Sequence, residues 1–506
     1  MAGKRISELD TLANVSGNEE IPVALGNDNY KIKISQILPE EHALTKEEVE
    51  NVLTGDITTH NHDTQYYPRE AADETFMKKD SDILDLIAYG VEFDTAVSTP
   101  TCTRIGNMQM HRTLPVQNGI RGCLLADDGS VNAYLPADTW ENSVRDGSAG
   151  QVMVEIPEFW ERFETDGNKR RVYLSPTPIA GFTHRKKRYV SAYEASIQRS
   201  TNTLASVVNL DADYRGGNNK ADYDEGTNTL LGRPATSISL TNFRAYARKR
   251  KADSTEWNCY TYDIHKDLYW LFVVEYATLN SQAGYNAALT AEGYHQGGLG
   301  AGVTNVNWTL WGTFNGHNPF IPCGYTDSLG NGTGVVTYTM PTEYNPDATT
   351  PLVVSVPRYR GIENPFGHLW KHTDGVNIRI SPTVENGGDG LSKAYVCEEP
   401  ANFSSTGYDG YAYIGNEART EAYVKEVIFG EGGDIIPSVV GGSSATYFCD
   451  YHYTTIPTTE TLRCVLFGGA ANSGANAGFG FANSNVAPSY PYAYFGSRLC
   501  FIPEAA

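Results

Sequence analysis

The chain has 506 residues, of which 40% are hydrophobic and 20% are charged, and its formal net charge at pH 7 is -21. Length alone predicts about three or four domains, and the acidic balance argues against a nucleic acid as partner, because affinity for phosphates depends on lysine and arginine. The sequence shows neither a secretory leader nor an apolar run of about eighteen residues, so we expect folding in a cytoplasm without membrane insertion.

Residues 1–42 form the first predicted unit. An apolar stretch at residues 21–25 precedes the turn Gly26-Asn27-Asp28-Asn29, after which apolar residues alternate with lysines up to Ile34. This pattern predicts a β-hairpin with one buried face. The unit is too small to offer much room for an active site. We therefore expect it to dock onto a larger assembly.

Residues 43–89 form a predicted helical neck. Thr45 and Glu48 supply a capping box, and Gly55 follows the first helical segment. A second helical segment with weak heptad spacing extends to about Tyr89. The apolar stripe from Val49 to Leu53 is so narrow that it needs a partner. Another copy of the chain is the simplest partner, and we expect a homotrimer.

His60 and His62 stand two residues apart between the two helical segments. In an extended chain both imidazoles point to one side, and three chains around an axis would offer six nitrogen ligands to one metal ion. The alternative is two exposed histidines in a polar turn. The string HNHD followed by YY resembles a short motif of trimeric phage tail fibres, in which such histidines line the threefold axis. The resemblance implies a structural metal ion at the neck.

Strand and helix patterns divide the remainder of the chain. Short strand patterns fill residues 90–185, where Asp127-Asp128-Gly129 predicts a hairpin turn, and we expect a β-rich intermediate domain there. Beyond residue 186, an amphipathic stretch begins at Phe243, and DIHKDLYWLFVVEYATLNSQ predicts a largely buried helix. Helices followed by strands and glycine-rich loops indicate an α+β fold.

The sequence contains short motifs like those of catalytic and cofactor sites, but the residues around them do not predict such sites. GGLGAG at residues 297–302 has neither the preceding strand nor the following helix that a dinucleotide site needs. His368 and His372 lie four residues apart, but nearby glycine and proline predict a loop with ordinary polar contacts. The eight cysteines are scattered without a CxxC pair, so we expect buried thiols instead of a zinc or redox site. We expect no catalytic residue and no required cofactor.

The stretch from Leu462 to Phe501, here called the C-terminal segment, has the composition of a binding surface. No charged side chain lies between Arg463 and Arg498, where Tyr, Phe, Asn, Ser, Ala and Gly dominate. Tyrosine supplies rigid contact area, while Ser, Gly and Asn supply adaptable hydrogen bonds. The alternative is a surface loop without a partner. The many aromatic rings favour binding, because they would promote aggregation if they faced only water.

Four stretches carry a resemblance to known proteins. They are Tyr189–Ala195, the helix around Tyr269–Tyr276, the RGIENPFG block, and the frame formed by Gly468-Gly469 and Gly496–Phe501. Together they resemble the C-type lectin-like fold of the formylglycine-generating-enzyme type. More narrowly, the chain is similar to the variable receptor-binding proteins of phages, whose C-terminal segment is diversified by retroelements. The resemblance implies a receptor-binding domain at residues 186–506 with a variable segment at residues 463–501.

The same resemblance implies a role for individual side chains inside the frame. They would be exchanged on a fixed backbone and would contact the receptor, and composition adds two phenylalanines to this set. The expected receptor contacts are Asn472, Ser473, Asn476, Phe479, Phe481, Asn483, Asn485, Ser489, Tyr490, Tyr492 and Tyr494.

The function implied by the resemblance is recognition without chemistry. We expect a phage tail-fibre protein, located in the virion tail, that binds a bacterial surface protein or glycan, while residues 1–42 dock onto tail or baseplate proteins. The calcium motifs EPN, QPD and WND are absent, so calcium-mediated sugar binding is not implied. The alternative is an enzyme on the same fold, either a formylglycine-generating-type oxidase that uses Cys449, Cys464 or Cys500, or a surface-polysaccharide hydrolase.

Overall fold

The computed structural model describes residues 20–25, 28–33, 80–314, 319–340 and 351–504. The chain divides into two compact units, Met1–Lys78 and Lys79–Ala506. In the first unit, β1 (Glu20–Leu25) and β2 (Asp28–Lys33) pair antiparallel, which confirms the predicted hairpin. The predicted capping box, His60 and His62 lie outside the described residues.

The second unit contains most of the described secondary structure. Its α-helices are α1 (Asp80–Ile87), α2 (Met108–Thr113), α3 (Leu240–Arg248), α4 (Tyr262–Tyr276) and α5 (Trp308–Thr313). Its strands are β3 (Tyr89–Asp94), β4 (Thr103–Gly106), β5 (Arg121–Leu125), β6 (Val131–Tyr134), β7 (Gln151–Ile156), β8 (Phe159–Asp166), β9 (Lys169–Ser175), β10 (Thr183–Arg185), β11 (Arg188–Ser191), β12 (Ser196–Gln198), β13 (Thr203–Ala205), β14 (Trp257–Cys259), β15 (Tyr285–Asn286), β16 (Gln296–Gly297), β17 (Gly334–Thr339), β18 (Val353–Tyr359), β19 (Ile362–Glu363), β20 (Trp370–Ile380), β21 (Ser392–Val396), β22 (Ala412–Asn416), β23 (Ala422–Val427), β24 (Pro437–Val440), β25 (Tyr451–Tyr453), β26 (Thr461–Phe467), β27 (Ala482–Val486), β28 (Phe495–Gly496) and β29 (Leu499–Phe501).

Three larger sheets organise the described part of this unit. The five-stranded sheet has the order β10-β8-β9-β3-β4, and the six-stranded sheet has the order β14-β29-β11-β7-β5-β6. The nine-stranded sheet has the order β22-β21-β20-β26-β27-β25-β23-β24, and β28 adds to β20 in parallel. Strand is therefore more extensive than helix in the described residues, with less helix than the expected α+β class suggests. The C-type lectin-like assignment stays a prediction.

Helix α4 lies at the centre of the hydrophobic core. The Thr261 side chain caps it by accepting the N–H of Ile264, and the residues from Ile264 to Tyr276 are buried. The ring of Trp270 stacks 6.2 Å from Phe93 of β3 and meets Phe429 edge-on at 5.5 Å. This confirms the predicted buried helix. In the described ranges no helix is both long and apolar enough to cross a membrane.

Two expected domain boundaries need correction. The six-stranded sheet combines β5 and β7 with β11 and β29, so residues 90–185 share one sheet with the end of the chain and do not form a separate compact domain. Helix α1, expected in the neck, belongs to the second unit, where Leu84 is buried beside Tyr173. Contacts between distant segments caused both errors. Such contacts leave no local signal in the sequence.

Candidate recognition surface

Strands hold both ends of the C-terminal segment. Near its start, β26 and β27 pair in the nine-stranded sheet, where Leu466 lies opposite Asn483. Near its end, β28 pairs with β20, and β29 lies between β11 and β14 in the six-stranded sheet. The segment is therefore anchored in two sheets, and its exposed side chains lie on the connections between these strands.

The Gly468-Gly469 end of the frame contacts the RGIENPFG block directly. The Gly468 N–H donates to the carbonyl of Phe481, and the Gly468 carbonyl accepts the N–H of Gly367, each at 3.0 Å. The φ angle of Gly468 is 95°, a conformation that favours glycine. A Cβ at this position would also lie 3.2 Å from the Cα of Phe366. The RGIENPFG block therefore holds this end of the segment in place.

The other end of the frame is fixed by Arg498, which is fully buried. Its guanidinium donates to the backbone carbonyls of Ser191 at 3.0 Å, of Asn364 at 2.8 Å, and of Glu363. Burial lowers the pKa of Arg498, because the charged form loses its hydration. One side chain thus ties three stretches of the resemblance together: Tyr189–Ala195, the RGIENPFG block and the end of the chain.

Phe479 and Phe481 lie in the core, so their expected role as receptor contacts is wrong. Phe479 is 0% exposed, and its ring centroid lies 5.9 Å from Phe272 of α4 and 6.1 Å from Phe366. The ring of Phe481 packs 4.5 Å from Trp370. Enclosed rings cannot touch a receptor. Part of the aromatic content that predicted a displayed surface is core material.

A close approach to Asp450 accounts for the glycines on both sides of Phe479. A Cβ on Gly478 would lie 1.8 Å from the Asp450 Oδ1 atom, and one on Gly480 would lie 2.6 Å from Oδ2. The Gly480 N–H donates to Oδ2 at 3.0 Å. Burial raises the pKa of Asp450, which favours the neutral carboxyl. The turn can therefore pass this carboxyl only with glycine at both positions, and it directs Phe479 inward.

Asn483 is a further correction, because its side chain is also buried. Its Oδ1 atom accepts the N–H of Asn485 at 2.9 Å, and Asn485 itself is half-buried. Between them, the Ser484 hydroxyl lies 2.9 Å from the Glu417 Oε2 atom and 3.1 Å from the Thr454 hydroxyl. Burial raises the pKa of Glu417 to about 8. Strand β27 is therefore supported from beneath by a buried polar group.

Four aromatic rings, here called the aromatic surface, lie on the outside: Trp308, Tyr490, Tyr492 and Tyr494. Tyr490 and Tyr492 are each 46% exposed, Trp308 is 49% exposed, and Tyr494 is half-buried. Tyr492 stacks 5.5 Å from Tyr494 at an interplanar angle of 20°, and Trp308 meets Tyr494 edge-on at 5.5 Å. Tyr490 meets Tyr492 edge-on at 6.1 Å. The rings support one another, and three of them are about half exposed to solvent.

The scaffold fixes the backbone beneath these rings. The Tyr492 carbonyl accepts the N–H of Ser237, and the Tyr494 carbonyl accepts the N–H of Trp370 at the start of β20, both at 3.0 Å. The Pro488 carbonyl accepts the N–H of Leu240 at the start of α3, also at 3.0 Å. Hydrogen bonds from Ser237 just before α3, from Leu240 of α3 and from Trp370 of β20 therefore set the path of the chain, and the side chains project from it.

The remaining polar candidates are nearer the surface. Asn472 and Ser489 are exposed, whereas Ser473 and Asn476 are half-buried. The Asn476 Oδ1 atom accepts the hydroxyl of Tyr423 at 2.6 Å, so a tyrosine outside the segment joins this region. Of the eleven predicted contacts, the exposed or half-buried ones are Asn472, Ser473, Asn476, Asn485, Ser489, Tyr490, Tyr492 and Tyr494.

Trp308 is the main residue that sequence reasoning missed. It lies on α5, far along the chain from the C-terminal segment, so composition within one window could not identify it. The signal that could have identified Trp308 is the absence of charged residues around it. Residues 293–326 contain no Asp, Glu, Lys or Arg, and residues 464–497 contain none either.

The thiols required for the oxidase alternative are buried. Cys449, Cys464 and Cys500 lie in the core, and burial raises the pKa of each thiol to about 12. The reactive form of cysteine is the thiolate, which low pKa and access favour. The burial of these three cysteines raises their pKa values and denies access to a substrate, so it gives no support to the oxidase.

Four carboxyls with raised pKa values, those of Glu161, Glu363, Glu417 and Asp450, are buried too. Burial raises the pKa of Glu161 to about 8 and that of Glu363 to about 7, and both side chains lie in the interior, as do Glu417 and Asp450. Glycoside hydrolysis needs two carboxyls that face one bound sugar. Carboxyls enclosed in the core cannot reach a polysaccharide, so they give no support to the hydrolase.

Histidines of the described ranges are not arranged as metal ligands. His368 Nδ1 lies 2.9 Å from the Glu194 Oε2 atom, with both side chains buried. His372 lies on β20, which corrects the expected loop. Within the described residues, no group of three or more His, Cys, Asp or Glu side chains could hold a metal ion. The predicted ligands His60 and His62 lie outside them.

Comparisons with known proteins give little further information. No protein-family model and no curated protein matches the sequence. Among solved structures, the chain is similar to one described as "Major Tropism Determinant U1 Variant", with 12% sequence identity over 68% of this chain and 72% of that chain. The TM-score of 0.18 is too low for this likeness to carry an argument about fold or function.

Proposed function

We propose that this protein recognises a bacterial cell surface through the aromatic surface, as the receptor-binding protein of a phage tail fibre. The observation that carries the proposal is the exposure of Tyr490 and Tyr492 on a backbone fixed by three hydrogen bonds, with the exposed ring of Trp308 packed beside them against Tyr494. Large exposed apolar side chains that lie together usually mark an interaction site. A fixed backbone also lowers the ordering cost of binding.

The side chains suit recognition better than chemistry. Tyrosine and tryptophan provide wide contact areas with few rotatable bonds. Ser489 adds an exposed hydroxyl next to Tyr490, and the exposed Asn472 follows Ala471, whose carbonyl accepts the N–H of Val306 near Trp308. The buried thiols and carboxyls described above leave the enzymatic alternatives without a reacting group at this surface. Binding by several copies of the chain would raise the avidity of weak single contacts.

The finer parts of the proposal rest on the sequence resemblance. They are a C-type lectin-like receptor-binding domain, a homotrimeric neck with a metal ion at His60 and His62, docking of residues 1–42 onto tail or baseplate proteins, and a location in the virion tail. Retroelement diversification of residues 463–501 is also proposed. A near-copy of the coding segment that differs mainly at adenines, beside a reverse-transcriptase gene, would support it, and the absence of such a copy would remove this part alone.

The test is binding of the fluorescently labelled full chain to a panel of bacterial strains, measured by flow cytometry. We expect the protein to label a subset of strains and Tyr492→Ala to weaken that labelling at least about tenfold, the equivalent of about 1.4 kcal/mol. The matched control is Tyr413→Ala, because Tyr413 is 53% exposed on β22 outside the aromatic surface. Labelling of no strain, or equal labelling by Tyr492→Ala and the native chain, would contradict the proposal.

A further inference from the structure

Two stretches of this acidic chain lack charged side chains altogether. Residues 293–326 and residues 464–497 contain no Asp, Glu, Lys or Arg, although 20% of the whole chain is charged. Charged side chains normally remain at the surface of a folded protein. Stretches without them would be expected in the interior, yet these two include the exposed Trp308, Tyr490 and Tyr492.

The two charge-free stretches meet in the folded protein. The Val306 N–H donates to the Ala471 carbonyl at 3.0 Å, and the Gly474 N–H donates to the Thr304 carbonyl at 3.1 Å. Next to this junction, the ring of Trp308 packs against that of Tyr494. The two charge-free stretches are therefore neighbours in the fold, and the aromatic surface takes its rings from both.

We infer that the aromatic surface binds an electrically neutral glycan. This inference rests on the proposed function and names its ligand class. A sugar ring has an apolar face of C–H groups, whose weakly positive hydrogens suit the negative face of an aromatic ring. Its hydroxyl groups both donate and accept hydrogen bonds, as do the amide of Asn472 and the hydroxyl of Ser489. The two stretches therefore supply aromatic rings and neutral hydrogen-bonding groups, and they contain no Asp, Glu, Lys or Arg.

Charge argues against an acidic polymer as the ligand. Phosphate and carboxylate groups are recognised by arginine and lysine, which neither stretch contains. The net charge of -21 would also repel such a polymer. Anionic surface polymers therefore fit this surface poorly, and neutral sugars do not meet this repulsion.

The apolar side chains also favour a glycan over a protein. Protein interfaces combine aromatic residues with Met and Arg around a polar rim. Where the side chains of the two stretches are described, the exposed large hydrophobic ones are Trp308, Tyr490 and Tyr492, which are all aromatic. Flat rings of this kind suit the faces of sugar rings.

The first experiment treats cells of a labelled strain with sodium periodate, which cleaves sugar diols, or with a protease. We expect periodate to abolish binding of the full chain and protease to leave it within about twofold. Raising the salt to about 1 M should also leave binding within about twofold, because screening affects charged partners. Binding that survives periodate but not protease would identify a protein receptor and overturn the inference while the proposed function stands. Loss of binding in salt would overturn it in favour of a charged ligand.

The second experiment uses the surface polysaccharide purified from that strain and freed of protein, in affinity gel electrophoresis. The polysaccharide should retard the native chain and Tyr413→Ala, but not Trp308→Ala or Tyr490→Ala, each of which must keep the native thermal unfolding midpoint. Tyr492→Phe keeps its ring, so it should remain retarded. If the polysaccharide does not retard the native chain, the inference is overturned. The same holds when periodate and protease have each abolished binding to cells. If untreated cells of every strain remain unlabelled, the proposed function fails, and the inference fails with it.

Discussion

Two short regions of the C-terminal segment, residues 478–481 and residues 489–494, are both rich in aromatic rings but face opposite environments. Phe479 and Phe481 are buried against α4 and β20, whereas Tyr490 and Tyr492 are about half exposed. A phenylalanine ring has no polar atom, while a tyrosine hydroxyl can remain in water. Within this segment, aromatic content marks both core and surface, and the polar end of the ring separates them.

The comparison also separates stability from recognition. In the first region, Asp450 and two glycines turn the chain inward, and in the second region hydrogen bonds from α3 and β20 hold it at the surface. Substitutions in the first region should therefore change the free energy of unfolding. Substitutions in the second region should change binding and leave the fold intact.

The largest expected effect on stability comes from Phe479→Ala. Removing a fully buried ring costs its transfer free energy and leaves a cavity, so we expect the free energy of unfolding to fall by about 3–5 kcal/mol. Denaturant unfolding followed by circular dichroism measures this change. The matched control is Tyr490→Ala, which should change the same quantity by less than about 0.5 kcal/mol. If both variants lowered the free energy of unfolding equally, the two regions would not differ in their contribution to stability.

A smaller, pH-dependent effect is expected at Glu417 beneath β27. Burial raises the pKa of Glu417 to about 8, whereas the same carboxyl in an unfolded chain has a pKa of about 4.3. Between these values the folded chain holds one proton more than the unfolded chain. The free energy of unfolding therefore falls as pH rises, by at most about 1.4 kcal/mol per pH unit, until the folded carboxyl ionises.

Glu417→Gln isolates this effect, because the amide stays neutral. Comparison of the native chain and the variant by urea unfolding at about pH 5, pH 6.5 and pH 8 should show a shallower decline for the variant. Glu385→Gln changes an exposed glutamate and should keep the native slope. A slope unchanged by Glu417→Gln would mean that this carboxyl is already ionised within the fold.

Local patterns predicted several elements of the fold correctly. The hairpin of β1 and β2, the turn at Asp127-Asp128-Gly129 between β5 and β6, and the buried helix α4 all follow from residue periodicity and turn chemistry. In each case the residues that specify the element are close together in the sequence. Both ends of the frame are anchored in sheets, and Arg498 connects the end of the chain to Ser191 and Asn364.

Distant contacts explain what the sequence left open. The sheet that joins β5 and β7 to β29 could not be inferred from any single stretch, and neither could the packing of Trp308 against Tyr494. Asn483 was expected at the surface because the resemblance implies that side chains inside the frame contact a receptor. Its burial depends on the neighbours of β27 in the sheet, and these neighbours are known only from the fold.

The smallest expected effects are those of Asn472→Ala and Ser489→Ala. Both side chains are exposed, so each change should alter the free energy of unfolding by less than about 0.5 kcal/mol. Binding energy concentrates in tryptophan and tyrosine at interfaces, so these variants should weaken cell binding by less than about tenfold, compared with a larger loss for Tyr490→Ala. Flow cytometry with the three variants ranks them directly. If Asn472→Ala weakens binding as much as Tyr490→Ala, the polar positions carry recognition to the same extent as the rings, and binding energy is spread across the surface.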